Sequence, residues 1–220
     1  MKTKNKTEII LRYLLFIIGL FIASLGVAFS TKAGLGTSPV ASVPYSVSLI
    51  NNMLTFGGWL NLLSLIQIGV QVALLRKKCK PLEIIIQTVL AFVYGYLTNF
   101  SCYLIRNIVV RSYYEQLLYM VIGCVVLAFG IWIQYKGGVA MLPGEAMNRA
   151  ISEVSGKKYE NIKIIFDIIY IALSAIICLL FLGKFEGVRE GSIIAAITVG
   201  NIVKLFNLIF NKITKKTSKE

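Results

Sequence analysis

Two loops in this sequence share a residue pattern that suits the binding of an anion. One reads KAGLGTSP from Lys32 and the other reads KGGVAMLP from Lys136, with lysine, glycine and proline at matching places. Proline suits the first position of a helix, and a helix start presents free N–H groups and the positive end of its dipole. We therefore expect each loop to open a short helix whose start faces a solute.

The candidate binding residues belong to these loops and to the helix starts that follow them. They are Gly34, Gly36, Thr37, Ser38, Pro39, Gly138, Pro143, Gly144, Glu145 and Arg149. Ser38 or Thr37 is suited to cap the first short helix, whereas Leu142 brings no capping oxygen to the second. Glu145 and Arg149 stand four residues apart, and we expect them to neutralise each other. Two positive helix starts with few fixed acids then favour an anionic or zwitterionic solute.

Charged and amide residues also occur inside apolar segments, where an unpaired charge is costly. Asp167 and Lys204 lie at similar depths in the last two segments, and Lys163 precedes Asp167 by one helical turn. We expect Asp167 to be ionised and paired with Lys163 or Lys204, as a structural pair or as a coupling or gating pair. Amides inside the segments are expected to hydrogen-bond between helices. They are Asn61, Gln67, Gln71, Gln87, Asn99 and Asn201.

The residue types that the sequence lacks exclude several kinds of chemistry. Histidine is absent, and the four cysteines are scattered without the spacing of a metal or redox motif. Neither an ATP-binding phosphate loop nor a nucleophile motif is present. The acids best placed in a membrane, Asp167 and Glu145, form no recognisable catalytic pair. We therefore expect neither an enzyme nor a bound metal or cofactor.

The elements that must position these residues are membrane helices. Hydrophobic residues make up 57% of the 220 residues and charged residues 15%, against about 25% charged residues in a typical soluble domain. A membrane-crossing helix needs about 20 mainly apolar residues. Six such segments occur, at residues 9–30, 59–75, 82–105, 117–135, 162–182 and 191–210. The sequence predicts an all-α, polytopic membrane protein whose first partner is the lipid bilayer.

The basic residues indicate how these segments are oriented. The net charge is +13, but lysine and arginine cluster at alternate connections rather than on one patch, so we expect no nucleic-acid partner. The rich connections are the N-terminus, residues 76–80, residues 149–163 and the C-terminus. By the positive-inside rule, these connections and both termini lie in the cytoplasm.

The repeated loops divide the chain into two similar halves, residues 1–105 and 106–220. Each half has a long segment, a glycine loop, a short helix and two more long segments. The short helices, predicted at residues 39–51 and 143–155, are too short to cross a bilayer. Each half then crosses three times, and the second half is inverted relative to the first. The short helices are either re-entrant or interfacial.

The loop KAGLGTSP, together with the later stretch GVREGSIIAAITVGNIVKLF, resembles the YczE/YyaS/YitT group of bacterial integral membrane proteins. The resemblance extends from Phe16 to Phe210. It implies several membrane helices and a location in the bacterial cytoplasmic membrane, and it brings no established substrate. The group often has a Trp-Asp pair after the loop proline, where this chain has Val40 and Ala41, so no acidic role is implied there.

Two functions of different classes fit the sequence. Inverted halves with interrupted segments at matching places are typical of a secondary transporter with a midplane site, and a transporter of a small solute is the preferred interpretation. The alternative is a scaffold or accessory membrane protein that does not transport. A transporter lines the seam between its halves with polar groups, whereas a scaffold fills that seam with apolar side chains. Association into a homo-oligomer is left open.

Overall fold

Eight α-helices make up most of residues 6–217, the part of the chain that this computed structural model describes. Side chains are described for residues 7–212 other than Lys77. The helices are α1 (Lys6–Lys32), α2 (Pro39–Ile50), α3 (Phe56–Leu75), α4 (Pro81–Leu104), α5 (Tyr113–Gly137), α6 (Pro143–Ser155), α7 (Tyr159–Leu182) and α8 (Glu190–Thr217). The described residues form no strand, only an isolated bridge between Gly36 and Val188.

Six of these helices, α1, α3, α4, α5, α7 and α8, are long and apolar enough to cross a membrane. They coincide with the six predicted segments, and α2 and α6 coincide with the two predicted short helices. The chain therefore has the helices of a multipass membrane protein, as expected. The outermost basic residues of the predicted termini, in residues 1–5 and 218–220, lie outside the described residues.

Helix boundaries differ from the predicted ones because polar residues continue a helix beyond its apolar run. Helix α5 begins at Tyr113, four residues early, because Ser112 and Glu115 form a capping box. In this box the Ser112 hydroxyl accepts from the Glu115 N–H and the Glu115 carboxylate accepts from the Ser112 N–H. Proline occupies the first position of α2, α4 and α6, where its missing N–H costs nothing.

The helices define two ends of the molecule. The basic end holds the start of α1, residues 76–80, the connection from α6 to α7 and the end of α8; there Lys78 Nζ lies 3.6 Å from Glu153 Oε1. The opposite end holds the connections from α2 to α3, from α4 to α5 and from α7 to α8. There Lys32 Nζ donates to Arg106 O at 2.9 Å.

Helices α1 and α5 run antiparallel and share the most extensive contact of the described fold. Gly19 lies against Gly130, while Gly26, about two turns further along α1, lies against Gly123. The backbones are so close that a Cβ atom at Gly123 would lie 2.8 Å from Ser30 N and 2.9 Å from Gly26 O. Small residues at such contacts are the usual means of close packing between membrane helices.

The short helices pack along long helices and do not lie across the ends. Helix α2 follows α7, with Ser42 near Tyr170 at the middle of α7 and Ser46 near Ser174 further on. Helix α6 follows α3 in the same way, from Gly144 near Gln67 toward the basic end. Both helices therefore start at mid-depth, α2 running to the opposite end and α6 to the basic end.

Several helix contacts of the first four helices have counterparts in the last four, but the extensive packing of α3 on α4 has no equal between α7 and α8. Helix α1 packs on α4 as α5 packs on α8, and α2 packs on α7 as α6 packs on α3. The α1–α5 contact relates the two halves directly. Every main contact between the halves thus has a counterpart with the halves exchanged.

Candidate functional site

The first loop, residues 33–38, is bound to the start of α8 at the opposite end. The Gly191 N–H donates to Leu35 O at 2.9 Å, and the Thr37 N–H donates to Ser192 Oγ at 3.1 Å. Leu35 and Thr37 are fully buried. We call the contacts of this loop with residues 188–192 the latch. The latch closes this end of the bundle.

Glycine allows the first loop to approach α8 this closely. Gly36 has a φ of 96°, which side chains rarely adopt, and a Cβ atom there would collide with Ser192. Gly34, with a φ of 69°, offers its carbonyl oxygen to Arg189 Nη1 at 3.2 Å. A bond from a guanidinium is stronger than one between neutral groups, so Arg189 is a main fastening of the latch.

A row of small polar side chains connects α2 to α7 behind the latch. Ser46 Oγ lies 2.6 Å from Ser174 Oγ, and Cys178 Sγ donates to Ser46 Oγ at 3.2 Å. The Ser174 hydroxyl also donates to Ser42 O at 3.1 Å. These four side chains are fully buried. The row therefore joins α2 to α7 through buried hydrogen bonds.

The starts of α2 and α6 are joined through one hydrogen bond at mid-depth. Gln67 Nε2 donates to Tyr170 Oη at 2.9 Å. Tyr170 O accepts from Ser42 in the first turn of α2, and Gln67 contacts Gly144 in the first turn of α6. The expectation that Gln67 bonds between helices is therefore confirmed.

Neither short helix has a side-chain cap at its start. The predicted capping role of Ser38 is wrong, because the Ser38 side chain makes no cap hydrogen bond and the Thr37 hydroxyl lies 3.0 Å from Ser30 Oγ instead. Leu142 occupies the cap position of α6, as predicted. Both helix starts therefore keep free backbone donors.

The second loop, residues 138–142, borders a cavity of about 630 Å³ that extends from mid-depth to the basic end. Its walls come from α3, α4, α5, α6 and this loop, and they include Gly138, Ala140, Met141, Ala146 and Ala150. Within the described residues, no hydrogen bond fastens the second loop to α4 as the latch fastens the first loop to α8. This end of the bundle is open.

Three glutamines that line the cavity each also have one fully buried amide atom without a partner. Gln71, Gln87 and Gln134 are 6%, 6% and 5% exposed, so each is more than nine-tenths buried. Gln71 Oε1, Gln87 Oε1 and Gln134 Nε2 have no hydrogen-bond partner among the described residues. Gln71 and Gln87 were expected to hydrogen-bond between helices, but their amide oxygens are buried and have no donor among the described residues. An unpaired buried amide is costly, which makes this cluster unusual.

Charged residues surround the cavity toward its mouth. Lys80 pairs with Glu83 at 3.1 Å, and Lys78 pairs with Glu153. Arg149 donates only to Met141 Sδ, at 3.6 Å, and has no carboxylate partner in the described part of the chain. The expected pair between Glu145 and Arg149 does not form, because Glu145 Oε1 accepts from Tyr135 Oη at 2.8 Å instead. The cavity therefore keeps one unneutralised positive charge.

The predicted binding residues fall into two groups. Gly34, Gly36 and Thr37 belong to the closed latch, with Ser38 and Pro39 beside it, and none of them lines the cavity. Gly138 and Arg149 line the cavity, whereas Pro143, Gly144 and Glu145 lie at the start of α6 behind it. The structure brings the two predicted loops toward a common centre at Gln67 and Tyr170, where one hydrogen bond joins the starts of α2 and α6.

Of the three residues predicted to form the charge pair, Lys163 and Asp167 are in contact. Lys163 Nζ lies 2.9 Å from Asp167 Oδ2, with the Asp167 side chain 13% exposed and the Lys163 side chain 44% exposed. Lys204 is exposed on α8 and belongs to none of the ion pairs among the described residues. The ion pair thus fastens two turns of α7 to each other.

The amide cluster could have been found by comparing depths along the predicted segments. Gln71 and Gln134 lie one turn before the ends of α3 and α5, and Gln87 lies in the second turn of α4. All three therefore lie at one level near the basic end, one on each helix. Sequence reasoning treated them singly and did not consider Gln134.

Comparison with known proteins finds a matching family and a similar bacterial protein. The family described as "Family of unknown function (DUF6198)" matches residues 10–208. "Uncharacterized protein YyaS" of Bacillus subtilis (strain 168) is 29% identical over 146 residues, which cover 66% of this chain and 70% of that protein. The resemblance to the YyaS group is thereby confirmed. No solved structure is significantly similar to this chain.

Proposed function

The chain belongs to the DUF6198 family of unknown function, and we propose that it is a secondary transporter that moves a small solute by alternating access. The observation that carries the proposal is the difference between its two loops. The first loop is latched to the start of α8, whereas the second loop borders an open, polar cavity. A carrier that opens on one side at a time has this asymmetry.

The matching contacts between the two halves, α2 with α7 and α6 with α3, support this mechanism. If the halves are inverted repeats, the latch around Ser192 has its counterpart in the cavity wall around Gln87. Fastening the second loop there while releasing the first would open the opposite end and close the basic end. The close antiparallel contact of α1 with α5 relates the halves and serves as the axis of that exchange.

We place the basic end in the cytoplasm of a bacterial cell, because lysine and arginine are retained on the cytoplasmic side of membrane proteins. Both termini are then cytoplasmic, and the cavity faces the cell interior. The Gln67–Tyr170 bond between the starts of α2 and α6 lies near the membrane midplane. In this orientation α2 and α6 are re-entrant helices.

The test measures the accessibility of a cysteine at each end of the bundle, and it requires no knowledge of the solute. Single cysteines replace Thr37 in the latch or Met141 in the cavity, in a background without native cysteines. The second change is Arg189→Ala, which removes the guanidinium bond to Gly34. Loss of a charged hydrogen bond that exists in only one state shifts the equilibrium between the two states by about tenfold. Labelling of Thr37→Cys should rise and labelling of Met141→Cys should fall together.

Arg106→Ala is the matched control, since Arg106 lies at the same end but its guanidinium stacks on Tyr103 outside the latch. It should change neither rate. A scaffold with fixed halves predicts that Arg189→Ala raises labelling at Thr37→Cys alone, with the cavity unchanged. That outcome would reject alternating access and favour the non-transporting alternative.

A further inference from the structure

The acidic residues of the described chain differ in what neutralises them. Glu115 accepts the capping bonds at the start of α5, and Glu160 is exposed at the start of α7. Glu145 is half-buried in the first turn of α6, and none of the ion pairs among the described residues includes it. The acids that pair with a lysine or an arginine are Glu8, Glu83, Glu153, Asp167, Glu186 and Glu190.

Glu145 lies where three helices meet, between mid-depth and the basic end. Its Oε1 accepts from Tyr135 Oη, near the end of α5, at 2.8 Å. From α7, the ammonium of Lys163 attracts the carboxylate, and the phenol of Tyr159 is also close. Lys163 is itself bound to Asp167 at 2.9 Å. The direct partner of Glu145 is therefore a neutral hydroxyl, and its nearest cation is shared with another acid.

The other elements packed against α6 bring no acid or cation that bonds to Glu145. Helix α3 contains no ionisable residue. Helix α4 has Glu83 in its first turn, where it pairs with Lys80 at the basic end. On α6 itself, the guanidinium of Arg149 donates to Met141 Sδ. No ion pair therefore fixes the charge of Glu145.

An acid of this kind is suited to exchange a proton. Acids inside the membrane region that lack a fixed counter-ion form proton relays in pumps and transporters. Histidine, the side chain that usually titrates near neutral pH, is absent from this chain. Asp167 is held by Lys163, which leaves Glu145 as the half-buried acid without a cation partner in the described residues.

The position of Glu145 connects its charge to the second loop. Glu145 is the third residue of α6, which begins directly after residues 138–142, and Tyr135 precedes this loop. The bond from Tyr135 to Glu145 therefore joins the two ends of the second loop. An ionised carboxylate accepts a hydrogen bond more strongly than a neutral one. Protonation of Glu145 then weakens a bond that holds the second loop in its open arrangement.

We propose that Glu145 is the proton-binding site that couples the carrier to a proton gradient. The carboxylate is ionised while the basic end is open and binds one proton, becoming a neutral carboxyl, while the opposite end is open. The inference rests on the proposed alternating access and adds the ion that drives it. Binding of the proton itself requires no transport.

The first experiment measures whether pH moves the two ends in opposite directions. Thr37→Cys or Met141→Cys is labelled in nanodiscs from about pH 8 to about pH 5, without solute or gradient. A proton that binds one state better shifts the population toward that state. Acidification should therefore raise labelling at Thr37→Cys and lower it at Met141→Cys, each by about tenfold.

Glu145→Gln imitates the protonated carboxyl, so both ends should keep the acidic pattern at every pH. The same cysteine in this background also corrects for titration of the thiol, and the two backgrounds should converge at low pH. Glu160→Gln is the matched control, because it removes an exposed acid of the neighbouring helix start, and the pH response should persist. A pH response that persists in Glu145→Gln would overturn the proposal.

Tyr135→Phe keeps the carboxylate and removes its donor, so it tests the site even if Glu145→Gln does not fold. The ionised form loses a hydrogen bond, and the midpoint of the pH response should move to higher pH by about one unit. A merely structural bond would lower the melting temperature and leave the midpoint in place. That result would overturn the proposal.

The second experiment detects the proton directly, by infrared difference spectroscopy between high and low pH. The carbonyl band of a protonated carboxyl should appear at low pH and disappear in Glu145→Gln. If Arg189→Ala shifts both ends reciprocally while pH shifts neither, this proposal fails and the transport proposal stands. If the Glu145 band is present but Arg189→Ala exposes Thr37→Cys alone, alternating access fails, and the proton site drives no transport.

Discussion

Polar side chains inside the apolar helices differ in whether they have hydrogen-bond partners, and this difference separates residues that join helices from residues that do not. Asn99 accepts from Gly57 N and donates to Thr55 Oγ1, both at 2.8 Å, and so fastens α4 to α3. The amides of the cavity have no such partners. A buried polar group without a partner destabilises the fold, so these three amide atoms oppose stability where Asn99 supports it.

The ion pair on α7 gives a prediction at this scale. Asp167→Asn leaves Lys163 unpaired and Lys163→Met leaves Asp167 unpaired, whereas the double variant leaves no charge. We expect the single changes together to lower the unfolding free energy by about 0.5–2 kcal/mol more than the double variant does. The measurement is thermal melting in detergent as a double-mutant cycle.

Lys204 provides the matched control for that cycle, since it is an exposed lysine on the neighbouring segment. Lys204→Met combined with Asp167→Asn should be additive, because no contact joins the two residues in the described structure. Strong coupling of Asp167 to Lys204, with none to Lys163, would contradict the geometry of the pair.

Side-chain contacts between helices are the features that the sequence alone predicted least well. The pattern of Lys163 and Asp167 was sufficient to predict an ion pair, because a helix brings residues four apart together. The same rule was wrong for Glu145 and Arg149, since Tyr135 from another helix is a nearer partner for Glu145. Contacts between helices depend on which helices are neighbours, and no local spacing encodes that.

At the scale of elements, the helices follow from their apolar runs, but the contact between α1 and α5 follows from glycine. Gly123→Ala places a methyl group against the backbone of α1, and we expect a loss of about 1–3 kcal/mol in the unfolding free energy. Gly69→Ala is the control, because no atom beyond its own stretch of helix backbone lies within 4 Å of its Cβ position. That change should be neutral or stabilising by up to about 1 kcal/mol.

Detergent melts of the two variants provide the measurement. Equal melting temperatures would show that α1 and α5 are not in close contact. The sequence predicted both helices and their matching places in the repeat. It did not predict that they touch, because glycines in a membrane segment are also common where no helix approaches.

The position of α2 gives a second prediction for elements. Ser46→Cys places a thiol beside Cys178, whose sulfur now lies 3.2 Å from Ser46 Oγ. In a background that keeps only Cys178, mild oxidation should form a disulfide between α2 and α7. The readout is a shift in gel mobility that a reducing agent reverses. Ser48→Cys, in the same helix but bonded to Tyr45 O, should stay reduced.

A disulfide at both positions would indicate a mobile α2, and a disulfide at neither would favour a helix lying at the membrane surface.

The sequence predicted that α2 is short and starts with proline. It left re-entrant and interfacial positions open, because both satisfy the same composition. The serine row shows that α2 packs along α7, and the disulfide test measures that packing directly.

At the scale of the whole molecule, the six helices and the alternation of basic connections predict one orientation. The basic end and the opposite end are properties of the structure, but their assignment to cytoplasm and exterior rests on charge alone. If the assignment is inverted, the cavity faces outward and the latch faces the cytoplasm. The direction in which the proposed site opens therefore depends on this single assignment.

Single cysteines at Lys158 and Arg111 test the orientation, because both residues are exposed and lie at different ends. In intact cells, a membrane-impermeant thiol reagent should label Arg111→Cys and should label Lys158→Cys only after the membrane is permeabilised. Labelling at both positions after permeabilisation shows that each thiol is reactive. The reverse pattern in intact cells would invert the molecule. Labelling of both without permeabilisation would mean that α5 and α6, which lie between the two positions, do not carry the chain from one side of the membrane to the other as the inverted halves require.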